Sequence, residues 1–143
     1  MIIIRTNIIK TKLKIIDETL ELVKGNLPEN VNEFKALGLI KDGIYKKIEA
    51  SIQEIISICS IINSDLKLGI PSTRDDIIVA LKNNNILSSK MAEKITGLKG
   101  FRNFLVHRYG LINDEVAFKD IKQGLFDFAL FKEEILNFIK KSI

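Results

Sequence analysis

The stretch IYKKIEASIQEIISICSIINSDL, residues 44–66, carries the apolar pattern from which the fold class follows. Its apolar residues recur at spacings of three and four, which is the period of an amphipathic α-helix. They are Ile44, Ile48, Ile52, Ile55, Cys59, Ile62 and Leu66, and Ile56, Ile58 and Ile61 widen the stripe. We therefore predict a central helix that packs against several neighbours. Its start is not fixed by the pattern: a start near Asn32 would enclose Gly38 and Gly43, each costing about 1 kcal/mol relative to alanine.

The same period recurs on both sides of this stretch. Ile9, Leu13, Ile16, Leu20, Val23 and Leu27 form a narrow stripe in the first segment. A helix capped by Ser88 or Ser89 and expected to end at Gly110 carries Met91, Ile95, Leu98, Phe101 and Leu105. The last helix follows Asn113 and carries Phe118, Ile121, Leu125, Phe128, Ile135 and Phe138. A shorter helix fits between LGIPST and the asparagines at 83–85. We predict an all-α fold over residues 1–143 as one domain, an antiparallel helical bundle of four long helices plus one short helix.

Composition restricts the possible functions. The net charge is +4 and the pI is near 9.1, which permits a polyanionic partner without requiring one. Cys59 is the only cysteine and His107 the only histidine, so neither an internal disulfide nor a zinc-ligand set can form, and we expect no metal and no cofactor. The initial MIIIR is too short for a signal peptide, and IISICSII is too short for a membrane span. We expect a soluble, cytoplasmic protein without membrane contact.

Polar residues cluster in GFRNFLVHRYG, residues 100–110, within a helix that is otherwise apolar. At about 100° per residue, Asn103, Val106 and His107 lie within about 140° of Arg102, while Leu98, Phe101, Phe104 and Leu105 fall on the core side. Tyr109 returns to within about 20° of Arg102, two turns later.

This arc has two interpretations. A solvated helix face is the ordinary one. However, Val106 is apolar in the middle of the arc, which suits a contact surface, and an arginine beside a histidine suits phosphate chemistry. Arg102 can stabilise charge on phosphoryl oxygens, and His107 can transfer a proton near neutral pH.

The peptide also resembles a known signature. GFRNFLVHRYG matches the R-x4-H-x-Y motif of the HepT-like proteins of the HEPN superfamily, through Arg102, His107 and Tyr109. Asn103 matches the polar residue often found after the arginine. The family's central helix is resembled by GIYKKIEASIQEII. Its proline-led connection and short helix are resembled by GIPSTRDDIIVALKNNNILS, and its turn into the last helix by YGLIND. The resemblance therefore extends over nearly the whole chain.

The resemblance implies a metal-independent ribonuclease toxin of a type VII-like toxin–antitoxin pair. Such proteins are helical homodimers with the two motifs meeting at the interface. Arg102 and His107 would be catalytic, Asn103 would support the site, and Tyr109 would accept AMP from an MNT-type nucleotidyltransferase antitoxin that silences RNA cleavage.

One histidine per chain independently favours a dimer, because RNA transesterification uses both a base and an acid. We expect the dimer to form through the faces bearing Val106 and the stripe of the first helix. Two alternatives stay open: a non-catalytic partner subunit of a nucleotidyltransferase, and a purely structural helical dimer.

Overall fold

The computed structural model describes residues 3–72 and 74–142, and that part of the chain forms an all-α antiparallel bundle. The helices are α1 (Thr6–Asn26), α2 (Val31–Lys35), α3 (Leu39–Asp65), α4 (Arg74–Asn83), α5 (Ser89–His107) and α6 (Asp114–Lys141), with a 3₁₀ turn at Tyr109–Leu111. The prediction of four long helices and a short one is confirmed, with α2 as a further short helix. Within the described ranges, none of the helices combines the length and apolar character that crossing a membrane requires.

Helix α3 is the centre of the bundle, as its broad apolar stripe predicts. It packs against α1, α4 and α5, while α6 packs against α2 and α5. Its buried apolar residues are Ile44, Tyr45, Ile48, Ile52, Ile55, Ile56, Ile58, Cys59 and Ile62. The predicted stripe of α1 is buried as well, at Ile9, Leu13, Ile16, Leu20 and Val23.

The helical path is interrupted between α2 and α3 at Gly38, whose φ is +63°. Residues other than glycine rarely adopt this backbone conformation. The break lets α2 turn its one buried residue, Phe34, into the core. The Phe34 ring lies edge-on to Tyr45 at 5.6 Å and 5.1 Å from Phe118. The alternative of one helix running from Asn32 through Gly38 is therefore wrong, because the start of α3 at Leu39 is set by this packing.

Polar side chains cap the starts of α5 and α6, the two helices that flank the 3₁₀ turn. The Ser88 hydroxyl accepts a 3.0 Å hydrogen bond from the Met91 amide at the start of α5. Asn113 accepts hydrogen bonds from the amides of Glu115 and Val116 at the start of α6. These caps satisfy amide groups that the helices leave unpaired, so both starts agree with the sequence prediction.

Candidate functional site

The last two turns of α5 carry the polar arc on the side facing away from the core. Asn103 and His107 are exposed, Arg102 is half-buried, and Val106 is 41% exposed. Leu105, on the opposite side, is buried. We call Arg102, Asn103, Val106 and His107 the motif face.

One residue departs from the predicted helix faces. Phe104, expected on the core side, is 39% exposed. It lines an open groove with Phe101, Leu111 and Val116, so the core does not reach this side of α5.

Arg102 keeps most of its hydrogen-bonding capacity. Its Nη1 atom donates a 3.2 Å hydrogen bond to the Asn103 amide oxygen, whereas its Nε is buried without a partner. Within residues 3–72 and 74–142, no carboxylate forms an ion pair with it. A guanidinium in this state can offer several N–H donors to an anion, and phosphate is the anion whose geometry suits its planar fork.

His107 is the last residue of α5 and is exposed. Its ring makes no hydrogen bond with any side chain or backbone group that the structure describes. It follows Arg102 by five residues, which corresponds to about 7.5 Å along the helix axis. The chain thus presents one guanidinium with unused N–H donors and one exposed imidazole on the last two turns of α5, about 140° apart around the helix.

Tyr109 does not continue the helix, which corrects the prediction that α5 ends at Gly110. Helix α5 ends at His107, and Arg108 leaves it with φ −137° and ψ 33°. Tyr109 therefore opens the 3₁₀ turn instead of lying in line with Arg102. The prediction failed because helical periodicity is local, whereas this turn is held by contacts with α3.

Those contacts join Tyr109 to two residues of α3. Its hydroxyl donates a hydrogen bond to Oδ1 of Asp42, and its ring lies edge-on to Tyr45, with the ring centroids 5.6 Å apart. Partial burial, together with the bond to Asp42, raises the pKa of Tyr109 above its ordinary value. The residue as a whole remains 40% exposed.

Tyr45 is held in place by its burial and by a hydrogen bond to α6. It is buried, and its hydroxyl donates a 2.6 Å hydrogen bond to Asp114, the first residue of α6. Burial, then this bond, raise the pKa of Tyr45. The Lys41 ammonium donates a 2.8 Å hydrogen bond to the other carboxylate oxygen of Asp114. Contacts thus connect Asp114, at the start of α6, through Tyr45 to Tyr109.

Sequence reasoning missed Asp42 and Tyr45. The only signal was an aspartate followed by a tyrosine three residues later, which places both on one side of a helix. Nothing local ties that pair to Tyr109, which lies 67 residues beyond Asp42.

The expected dimer surface also needs correction. The first-helix stripe expected to join Val106 in the dimer is buried inside the protomer, from Ile9 to Val23, and cannot contact a second copy. Its residues pack against α3 because their spacing matches the groove beside the central helix. Val106 remains exposed and available for contact.

Residues 16–135 match the family model for ribonuclease HepT-like proteins. The chain belongs to the ribonuclease HepT-like family. The match includes α3, α5 and the whole motif face, and it confirms the resemblance drawn from the R-x4-H-x-Y peptide.

Two curated relatives of this HepT-like chain are nucleases. The mRNA nuclease HepT of Shewanella oneidensis is 26% identical over 104 residues, which cover 73% of this chain and 78% of that protein. The tRNA nuclease HepT of Aphanizomenon flos-aquae is 29% identical over 136 residues, covering 92% and 90% of the two chains.

A solved structure supports the fold. Tri-AMPylated Shewanella oneidensis HEPN toxin in complex with MNT antitoxin is similar to this chain with a TM-score of 0.82 and 24% identity. The similarity covers 91% of this chain and 97% of that one. At this level of identity it establishes the HEPN fold of the HepT-like chain.

Proposed function

We propose that the protein is an endoribonuclease toxin that cleaves RNA without a metal ion, using Arg102 and His107 as its catalytic residues. The observation that carries this proposal is the motif face itself. On the last two turns of α5, Arg102 forms no ion pair with a carboxylate of the described residues, and His107 is exposed. Membership of the HepT-like family, and the two relatives that are nucleases, support it.

Both parts of RNA transesterification have candidates on this face. The reaction removes a proton from a 2′-hydroxyl and delivers one to the departing 5′-oxygen, and imidazole can do either near neutral pH. Charge develops on the phosphoryl oxygens as the 2′-oxygen attacks. The N–H groups of Arg102 would stabilise that charge, with Asn103 holding the guanidinium in place. Side chains supply both functions, so the proposed reaction needs no metal.

The complete site requires two copies of the chain. Each chain has one histidine, whereas the reaction uses a base and an acid. A two-fold axis beside the motif face would bring the second His107 and Arg102 to the same phosphate. The exposed Val106 would then lie in the contact between the protomers, where an apolar residue is favourable.

Transfer of AMP to Tyr109 by an MNT-type nucleotidyltransferase antitoxin would silence this site. Tyr109 lines the same depression as Val106 of the motif face, and the residue is 40% exposed. AMP would add bulk and about one negative charge, both unfavourable for a polyanionic substrate. A related toxin structure that is AMPylated and in complex with MNT antitoxin supports this part of the proposal.

The test is cleavage of purified tRNA and mRNA by the purified chain with excess chelator. We expect cleavage that leaves 2′,3′-cyclic phosphate and 5′-hydroxyl ends, the products of transesterification. Cleavage that requires added divalent cations would contradict the metal-independent mechanism. No cleavage by a chain that still binds the nucleotidyltransferase would overturn the nuclease proposal and favour a non-catalytic partner subunit.

A further inference from the structure

We propose that Asp42 accepts the proton of the Tyr109 hydroxyl when AMP is transferred to this tyrosine. This inference rests on the proposed function, since it concerns the silencing of the same site. It assigns the proton acceptor of the modification to the modified protein itself, on a helix remote from the motif in sequence.

The first support is the direct hydrogen bond. The Tyr109 hydroxyl donates to Oδ1 of Asp42, so the proton already lies between the two oxygens. Asp42 belongs to the first turn of α3, and the positive φ of Gly38 lets α3 begin just before it. Asp42 is also exposed, so it can release the proton to water after the transfer.

The second support is the chemical state of Tyr109. Partial burial and the bond to Asp42 hold its pKa above the ordinary value, so the resting side chain is a neutral phenol. A phenol is a weak nucleophile until its proton leaves, so an acceptor placed on that proton lowers the barrier to attack.

The third support is that the neighbouring carboxylates have other partners. Asp114 accepts hydrogen bonds from Tyr45 and Lys41. Glu49 lines the same depression as Tyr109 but forms a 2.8 Å ion pair with Lys46. Asp42 is therefore the carboxylate that the geometry assigns to the Tyr109 proton.

The step balances with ATP as the co-reactant, bound by the nucleotidyltransferase. The Tyr109 oxygen forms a bond to the α-phosphorus, and the bond between that phosphorus and the oxygen bridging to the β-phosphorus breaks. Pyrophosphate leaves with the electron pair of that bond. The phenolic proton passes to Asp42 and then to water. The product is a tyrosyl phosphodiester, which has no proton left to donate to Asp42.

The experiment follows AMP transfer by intact-mass spectrometry, using the purified chain, ATP, Mg²⁺ and an MNT-type nucleotidyltransferase that binds the chain. Asp42→Asn keeps an oxygen acceptor for the hydroxyl but cannot take its proton, so transfer should slow by about 10²-fold. Glu49→Gln is the matched control, because it makes the same change at a carboxylate that lines the same depression but pairs with Lys46. It should retain the parental rate, and Tyr109→Phe should gain no AMP.

A chemical rescue separates proton transfer from a structural effect. Incorporation of a trifluorotyrosine at position 109 makes the phenol more acidic, so it needs less help from a base. In the Asp42→Asn background this substitution should restore most of the lost rate. Equal slowing by Glu49→Gln, or a slow Asp42→Asn variant that fluorination does not rescue, would overturn the role of Asp42.

The outcomes also separate this inference from the proposed function. An unmodified parent chain, or AMP on Tyr109→Phe, would overturn Tyr109 as the acceptor and this inference with it. Parental rates for Asp42→Asn, with Tyr109 confirmed as the acceptor, would overturn only the role of Asp42.

Discussion

The ring of Tyr109 packs edge-on against the ring of Tyr45, with the centroids 5.6 Å apart and the planes at 85°. Edge-to-face pairs of this kind are favourable because the positive ring edge meets the negative face. Through this contact the short turn after α5 rests on a core residue of α3. The position of Tyr109 beside the motif face therefore depends on how firmly Tyr45 is held.

The Tyr45→Phe variant tests that support. It keeps both rings but removes the 2.6 Å hydrogen bond to Asp114, which should lower the free energy of unfolding by about 1.5 kcal/mol. Thermal unfolding followed by circular dichroism should show a melting temperature roughly 4 °C lower. Tyr109→Phe removes a hydroxyl from a more exposed residue and should cost less. Equal losses would mean that the buried bond does not anchor the turn.

The Tyr45→Phe difference should depend on pH. Burial opposes ionisation of Asp114, but the hydrogen bonds from Lys41 and Tyr45 outweigh it and hold the pKa of this carboxyl below its usual value. A carboxyl whose pKa is lowered by folding stabilises the protein above its unfolded pKa, and loses that effect as the pH falls through the folded value. The difference between parent and variant should thus shrink in acid, below the ordinary range for aspartate.

Gly38 and Gly43 form a second matched pair, five residues apart. Gly38 has φ +63°, so Gly38→Ala should destabilise the fold by about 1–3 kcal/mol. Gly43 is helical, and an added methyl group would meet no atom within 4 Å beyond its own stretch of helix, so Gly43→Ala should stabilise by about 0.5–1 kcal/mol. Urea unfolding measures both. Stabilisation by Gly38→Ala would contradict the break between α2 and α3.

Helical periodicity predicted the four long helices because each buries one face against the bundle. It could not predict the break at Gly38, since a glycine inside a helix costs only about 1 kcal/mol. The burial of Phe34 against Tyr45 and Phe118 settles that choice, and it depends on residues far apart in sequence.

The candidate site divides in the same way. The motif face follows from spacing along one helix, so Arg102, Asn103 and His107 could be placed together from the sequence. The surroundings of Tyr109 could not, because its hydrogen bond to Asp42 joins two helices across 67 positions. The first-helix stripe was misassigned to a dimer because an amphipathic pattern does not reveal which neighbour covers it.

Val106 tests the composite site. If the proposed dimer forms through Val106, Val106→Asp would place two carboxylates close together across its two-fold axis, so the dimer should dissociate and RNA cleavage should be lost. Val79→Asp is the control, since Val79 is similarly exposed, at 47% against 41% for Val106, and lies on α4. Light scattering at micromolar concentration measures the change. A parent chain that is monomeric while cleaving RNA would contradict a shared site.

Arg102 substitutions test charge stabilisation. Arg102→Ala should lower kcat by about 10²- to 10³-fold, because the lost interaction matters most where charge develops. Arg102→Lys should recover only part of the rate, since an ammonium cannot offer the planar fork. Initial rates at several RNA concentrations separate the effect on kcat from the effect on KM. A loss confined to KM would mean that Arg102 only binds RNA.

The catalytic role of His107 is tested most directly by RNA cleavage with the His107→Ala variant in the presence of chelator, compared with Arg108→Ala as the neighbouring control. Both residues are exposed at the end of α5, so both variants should fold. If His107 transfers protons, His107→Ala should lose about 10²- to 10⁴-fold in rate, while Arg108→Ala should stay close to the parent. Cleavage by His107→Ala at the parental rate would contradict the proposed site.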